Sequence, residues 1–161
     1  MVKKFLNIKN ILILLGILAL TGIDQIIKLL IVKNLYNSST KIINGFLNFT
    51  YIENTGGAFG IGSNNILVFI LINIIVIGII FKLLVSRKDE LNIISMISAS
   101  MIISGGMGNL IDRIFRGYVV DYIDVSPLIK YPVFNFADII IVLGVILLVI
   151  NILFEKDKKS I

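Results

Sequence analysis

The stretch GYVVDYIDVSPLIKYPVFNFADIIIVLG, residues 117 to 144, decides how this chain is read. It places Asp138 at the head of sixteen uncharged, mostly aliphatic residues, Ile139 to Phe154. Seventeen positions upstream, Asp121 interrupts an alternating apolar run, YVVDYID. A carboxylate at the centre of a bilayer costs about 2.5–3.5 kcal/mol on insertion scales, so carboxylates in such segments usually serve a purpose.

Composition sets the frame around that stretch. Of 161 residues, 57% are apolar and 16% charged. Soluble domains hold about 45–50% and about 25%. So little polar surface cannot cover a water-facing exterior, and an α-helical integral membrane protein is expected. The sequence has no cysteine, histidine or tryptophan. Disulfides, thiol nucleophiles, Cys- or His-held metals and a Ser-His-Asp triad are excluded. Chemistry must come from Asp, Glu, Ser, Lys, Tyr or Arg, and no metal or cofactor is expected.

A helix needs about 20 residues to cross the hydrocarbon. Four segments qualify, at about residues 10–32, 61–81, 91–111 and 131–154, with outer loops at about 33–60 and 112–130, all in a single membrane-embedded domain over 1–161. The basic opening MVKKFLNIKN would suit a cleavable signal peptide. Its apolar run continues past Asp24 into IIKLLIV, however, and no small-x-small site precedes it, so a retained first span is expected.

Basic residues set the orientation. Lys3, Lys4, Lys9, Lys82, Arg87, Lys88, Lys156, Lys158 and Lys159 share one side with four acids, Asp89, Glu90, Glu155 and Asp157, a net of +5. The other side has six bases and six acids. Both termini are therefore expected in the cytoplasm, and the whole formal charge of +5 is a topology signal that needs no nucleic-acid partner. On the outer side, Leu47, Phe49 and Tyr51 alternate with Asn48, Thr50 and Ile52 in the first loop, and GYVVDYID alternates in the second. Two short strands are expected to pair there as a small sheet on the membrane surface.

The polar residues fall into groups. Asp24 and Lys28 share a helical face at i, i+4. Either they pair so that both are tolerated near the interface, with Lys28 snorkelling outward, or they help position a substrate. Ser100, Ser104 and Gly108 form a small-residue stripe suited to close helix approach. Beyond it Asn109 and Arg113, and Asp112 and Arg116, present two polar faces. Asn135, three positions before Asp138, is placed to cap the last span. Glu53, Asn54, Gly56 and Gly57 of ENTGGAFG offer amides and backbone, and their glycines allow a gate. Asp121 and Asp138 lie on the hairpin joining two spans, hence at one depth. If they face each other, one must hold a proton, and the pair can serve water and a leaving amine in turn. From the residues alone three readings stand: a catalytic dyad, an ion or proton relay, and interfacial structural carboxylates.

Together these segments resemble the bacterial lipoprotein signal peptidases, also called signal peptidase II. The resemblance rests on DQIIK (Asp24–Lys28), ENTGGAF (Glu53–Phe59), GNLIDR (Gly108–Arg113), VVDYID (Val119–Asp124) and FNFAD (Phe134–Asp138), in order over nearly the whole chain. It implies an aspartic intramembrane endopeptidase of the bacterial cytoplasmic membrane, with its active site near the outer leaflet. The substrates implied are prolipoproteins whose lipobox cysteine carries a diacylglyceryl group, cut just before that cysteine. Asp121 and Asp138 correspond to the family's catalytic aspartates, and Asp24, Lys28, Asn54, Asn109, Arg113 and Asn135 to its supporting residues. The implied setting is a monomer among membrane lipids. Gly57 stands where the family more often has alanine, and Tyr122 where it more often has phenylalanine. A transporter would need acids spread through the membrane's thickness; a structural partner leaves the outer polar cluster without a purpose; a Ser-Lys peptidase would want a serine near Lys28.

Overall fold

The computed structural model describes residues 8–57, 65–87 and 91–158. Expectations resting on Lys3, Lys4, Lys88, Asp89, Glu90 and Lys159, on Ala58 to Gly60 of ENTGGAFG, and on residues 61–64 fall outside the described residues. Four helices are each long and apolar enough to cross a membrane: α1 (Ile8–Leu35), α2 (Ile66–Ser86), α3 (Ile93–Phe115) and α4 (Phe136–Lys158). Strands β1 (Ser39–Ile43) and β2 (Leu47–Asn54) lie between α1 and α2, and β3 (Val119–Asp124) between α3 and α4. They form one antiparallel sheet in the order β1-β2-β3. The sheet therefore sits at the end of the bundle where α1 and α3 finish and α2 and α4 begin.

Strand β1 adds to the two strands expected. Its residues are exposed throughout, so STKII carries no alternation to betray it. Gly45, at φ +71°, lets the chain turn between β1 and β2. In the second pair Ile52 stands opposite Asp121 and Phe49 opposite Ile123, with an irregularity between them.

Helix α3 is the centre, with α1, α2 and α4 all packed on it. Two of its serines donate back to carbonyls one turn earlier, Ser100 Oγ to Met96 at 2.7 Å and Ser104 Oγ to Ser100 at 2.6 Å. That satisfies these two hydroxyls within the helix. A methyl on Gly108 would overlap the Asp24 carboxylate, and one on Gly105 the Ala137 carbonyl. The small-residue stripe thus admits α1 and α4 to close range. Helix α2 is the opposite case. Leu84 is its one buried residue, and Leu67, Leu71, Ile75 and Ile79 are exposed. Lipid, not water, is the solvent for such a surface, and the protein is a multi-pass membrane protein.

The last helix begins at Phe136, five residues later than the apolar pattern suggests. Pro132 has no N–H to give and pushes Tyr131 toward extended backbone. Phe134 then pairs with the edge of β3, its N–H donating to the Ile123 carbonyl at 3.1 Å and its carbonyl accepting from Ile123 at 2.7 Å. Only afterwards does Asn135 start the helix. Its Oδ1 accepts from the Asp138 N–H at 3.0 Å while Asp138 Oδ2 accepts from the Asn135 N–H at 3.1 Å, a reciprocal cap. Asp138 therefore lies in the first turn, where the helix dipole favours a carboxylate.

Candidate active site

Two polar layers sit one above the other at the sheet end of the bundle. The deeper one is built by α1 and α3. Lys28 Nζ lies 3.0 Å from Asp24 Oδ2, 2.9 Å from Asp112 Oδ2 and 3.0 Å from Asn109 Oδ1, so its three donors meet three acceptors. Lys28 has no exposed surface. The expectation that it snorkels outward is corrected: Asp112 on the neighbouring helix draws the ammonium inward, and two carboxylates compensate its desolvation. Asp112 also accepts from Arg116 Nε at 3.0 Å and from the Val120 N–H at 3.1 Å, which ties α3 to β3. Asp24 Oδ1 accepts from the Ala137 N–H at 3.1 Å, which ties α1 to the start of α4. Gln25 joins α1 to α3, its side-chain amide donating to the Gly108 carbonyl at 3.1 Å.

The upper layer holds the two aspartates expected from the sequence, joined through asparagines. Asn135 Nδ2 donates to Asp121 Oδ1 at 2.6 Å and to Asn109 Oδ1 at 3.2 Å. Asn109 Nδ2 donates to Asp138 Oδ1 at 2.8 Å, and Asn54 Nδ2 to Asp121 Oδ2 at 2.8 Å. Asn135 thus binds Asp121 with its side chain and Asp138 with its backbone. Asp121 is 3% exposed. Burial first, and the charge of Asp138 second, push its carboxyl up to about 7, against the Asn54 and Asn135 hydrogen bonds and the positive charge of Lys28.

Above the aspartates opens a cavity of about 570 Å³. Asn54, Gly56, Asn109 and Arg113 line one wall with Asp121 and Asp138, and Tyr131, Phe134, Ile141 and Val142 line the apolar remainder. Arg113 donates from one terminal nitrogen to the Gly56 carbonyl at 2.9 Å, while its Nε is buried without a partner among the described residues. The loop after β2 is fixed by the Gly56 N–H donating to Asn54 Oδ1 at 2.9 Å. Every site residue singled out from the sequence, Asp24, Lys28, Asn54, Gly56, Asn109, Arg113, Asn135, Asp121 and Asp138, is drawn into one of these layers. Glu53 lines the cavity too, and its carboxylate accepts from the Tyr51 hydroxyl at 2.8 Å. Tyr122 is buried in the apolar cluster of Ile31, Tyr51 and Val120, its ring edge-on to Phe49 at 5.8 Å.

Sequence reading passed over Asp112 as a link from α3 to α1 and β3, and gave no role to Gln25 or Phe69. Asp112 had a visible sign in its i, i+4 spacing to Arg116. Phe69, whose ring lies 5.5 Å from the Arg113 guanidinium, had none, being one apolar residue among many in α2.

A cavity at the sheet end of the four helices, floored by two linked aspartates and walled by amides, is an arrangement suited to hydrolytic chemistry. Comparison with known proteins gives the class. The family model described as signal peptidase (SPase) II matches residues 12–154. The lipoprotein signal peptidase of Clostridioides difficile (strain 630) is 40% identical over 147 residues, 91% of this chain and 97% of that protein. That of Fusobacterium nucleatum is 37% identical over 145 residues, 89% and 87%. A bacterial membrane enzyme solved by the in meso method at 2.3 Å superposes with a TM-score of 0.82 at 32% identity, over 91% of this chain and 90% of that one. The molecule is a membrane protease. The chain belongs to the signal peptidase II family.

Proposed function

We propose that residues 1–161 act as one aspartic endopeptidase that removes signal peptides from diacylglyceryl-modified prolipoproteins, cutting before the lipidated cysteine. The observation that carries the reading is the Asp121–Asn135–Asp138 linkage at the floor of the cavity. The relatives are named lipoprotein signal peptidases, which supports the substrate class. The excess of basic residues at the ends away from the sheet supports cytoplasmic termini, an extracytoplasmic sheet and an active site near the outer leaflet of the bacterial cytoplasmic membrane. The exposed aliphatic faces of α1, α2 and α4 suit contact with lipid by a monomer, and no cofactor enters the chemistry.

In this mechanism the pair shares one proton, held on Asp121 below about pH 7. Asp138 takes a proton from water as the oxygen attacks the scissile carbonyl carbon, and Asp121 gives its proton to the carbonyl oxygen. The tetrahedral diol then collapses: the C–N bond breaks, the cysteine nitrogen leaves with a proton from Asp138, and the second hydroxyl returns its proton to Asp121 as the new carboxyl forms. Water is consumed and the dyad is restored. Asn54 and Arg113 fix substrate carbonyls beside the bond. The acyl chains remain in the lipid, so the cavity need hold only peptide.

The test is cleavage of a diacylglyceryl-modified prolipoprotein by purified protein in detergent, beside Asp121→Asn and Asp138→Asn. Wild type should cut before the lipidated cysteine, and each folded variant should lose roughly 10²–10⁴-fold in rate. Undiminished cleavage by either variant would remove that aspartate from the chemistry. No cleavage by folded wild type, on several lipidated substrates, would end the reading.

A further inference from the structure

Phe69 stands at the first turn of α2, outside both polar layers, yet two contacts tie it to them. Its ring lies 5.5 Å from the Arg113 guanidinium carbon, within cation–π range. The same ring fills the space beside Gly57: a Cβ there would meet Phe69 Cε1 at 2.5 Å and Cζ at 3.0 Å. Arg113 in turn holds the loop one residue earlier, through the Gly56 carbonyl at 2.9 Å. Two residues before Gly56, Asn54 holds Asp121 at 2.8 Å.

We propose that Phe69 is a positioning residue for the cleavage site, and that Gly57 is the residue that makes room for it. Phe69 touches no reacting atom. Its ring supports the guanidinium from one side and sets how closely the loop from Asn54 to Gly57 descends on the aspartates. This rests on the peptidase reading and extends it to α2, the helix with least burial in the bundle. A methyl at position 57 forces one of two movements. Either the ring leaves Arg113, or the loop lifts and the Arg113–Gly56 bond lengthens, pulling Asn54 from Asp121. Leucine at 69 would remove both atoms that crowd position 57, since the ring's Cδ1 is already 3.4 Å from that Cβ.

The two positions are tested as a double-mutant cycle on the full chain in detergent, with Phe69→Tyr as the ring-preserving control. Cleavage of a lipidated prolipoprotein and the thermal unfolding midpoint are both read. Gly57→Ala should lower kcat/KM roughly ten- to hundredfold, as misplacement by about an ångström does. Phe69→Leu alone should lower it about two- to thirtyfold, the range of a buried cation–π contact. Phe69→Tyr should stay within about twofold of wild type. The decisive protein is Gly57→Ala/Phe69→Leu, which should be at least about threefold more active than Gly57→Ala, so that one substitution harms in one background and helps in the other. Multiplying effects on cleavage overturn the proposal, including where the unfolding midpoints are coupled, because the contact is then packing without a role in positioning. Wild type that folds but does not cleave overturns the peptidase reading itself and takes this role with it, while the midpoints still report whether the ring and loop compete for one space.

Discussion

Helices α3 and α4 are joined at both ends by asparagine side chains, and the joint at the sheet end includes two aspartates. At the end away from the sheet, Asn92 caps α3 by accepting from the Ser95 N–H at 2.8 Å and donates to Asn151 Oδ1 at 2.9 Å. Asn151 Nδ2 completes the set by donating to Ser95 Oγ at 2.8 Å. At the sheet end, Asn135 caps α4 and reaches α3 through Asn109. The device is the same, an N-cap amide reaching across to the neighbouring helix. At one end its described partners are amides and a serine; at the other they include two carboxylates under a cavity. The sheet-end joint leaves carboxylate oxygens able to exchange a proton, and burial with a like charge nearby turns a fastening into a titrating group.

The contrast can be broken most forcefully beneath the sheet-end joint. Lys28→Met leaves Asp24 and Asp112 buried without their shared cation and should destabilise the folded protein by about 3–5 kcal/mol, read as a lower unfolding midpoint in detergent. A stability close to wild type would mean the ion cluster is dispensable. Next in size is the amide pair itself. Asn135→Ala and Asn92→Ala should each lose about 1 kcal/mol or more of stability through their caps. Only Asn135→Ala should also depress kcat and move the pH dependence of cleavage, because that amide holds Asp121 beneath the cavity. Equal kinetic effects from both would erase the distinction between the ends.

A finer test uses pH. The folded protein keeps the Asp121 proton up to about pH 7, whereas the unfolded chain releases it near 3.8. Stability should therefore decline as pH rises through that window and level off above it. Cleavage should fall above about pH 7 as the shared proton is lost. Asp121→Asn should remove its share of the stability slope, whereas Asn151→Leu at the far end of α4 should leave both profiles in place. The smallest effect belongs to Asn151→Leu itself, whose apolar replacement in a membrane interior should change stability by about 0.6 kcal/mol, the average for interhelical hydrogen bonds there.

Much of the charged end could be read from the sequence, whereas the Asn92–Asn151 end could not. Asp24 with Lys28, Asp112 with Arg116 and Asn135 with Asp138 are pairs three or four residues apart, so one turn of helix brings them together wherever the helix lies. Asp121 and Asp138 stood out because carboxylates beside aliphatic runs are rare. What escaped was set by docking. The inward turn of Lys28 depends on Asp112, 84 positions away, being brought against it by the glycines of α3. The late start of α4 depends on Phe134 pairing with β3. β1 has no buried face, and Phe69 matters through its ring's position rather than its type.

The ion cluster of α1 and α3 also bears on how the chain enters the bilayer. Each helix brings its own counter-charge one turn away, Asp24 with Lys28 on α1 and Asp112 with Arg116 on α3. Each of these two acids thus has a counter-charge when its segment leaves the translocation machinery, before either helix has met the other. When the helices join, Lys28 bridges to Asp112 without giving up Asp24. None of these paired charges has to wait alone in the hydrocarbon, and the order of insertion, α1 long before α3, is left compatible with the order of synthesis.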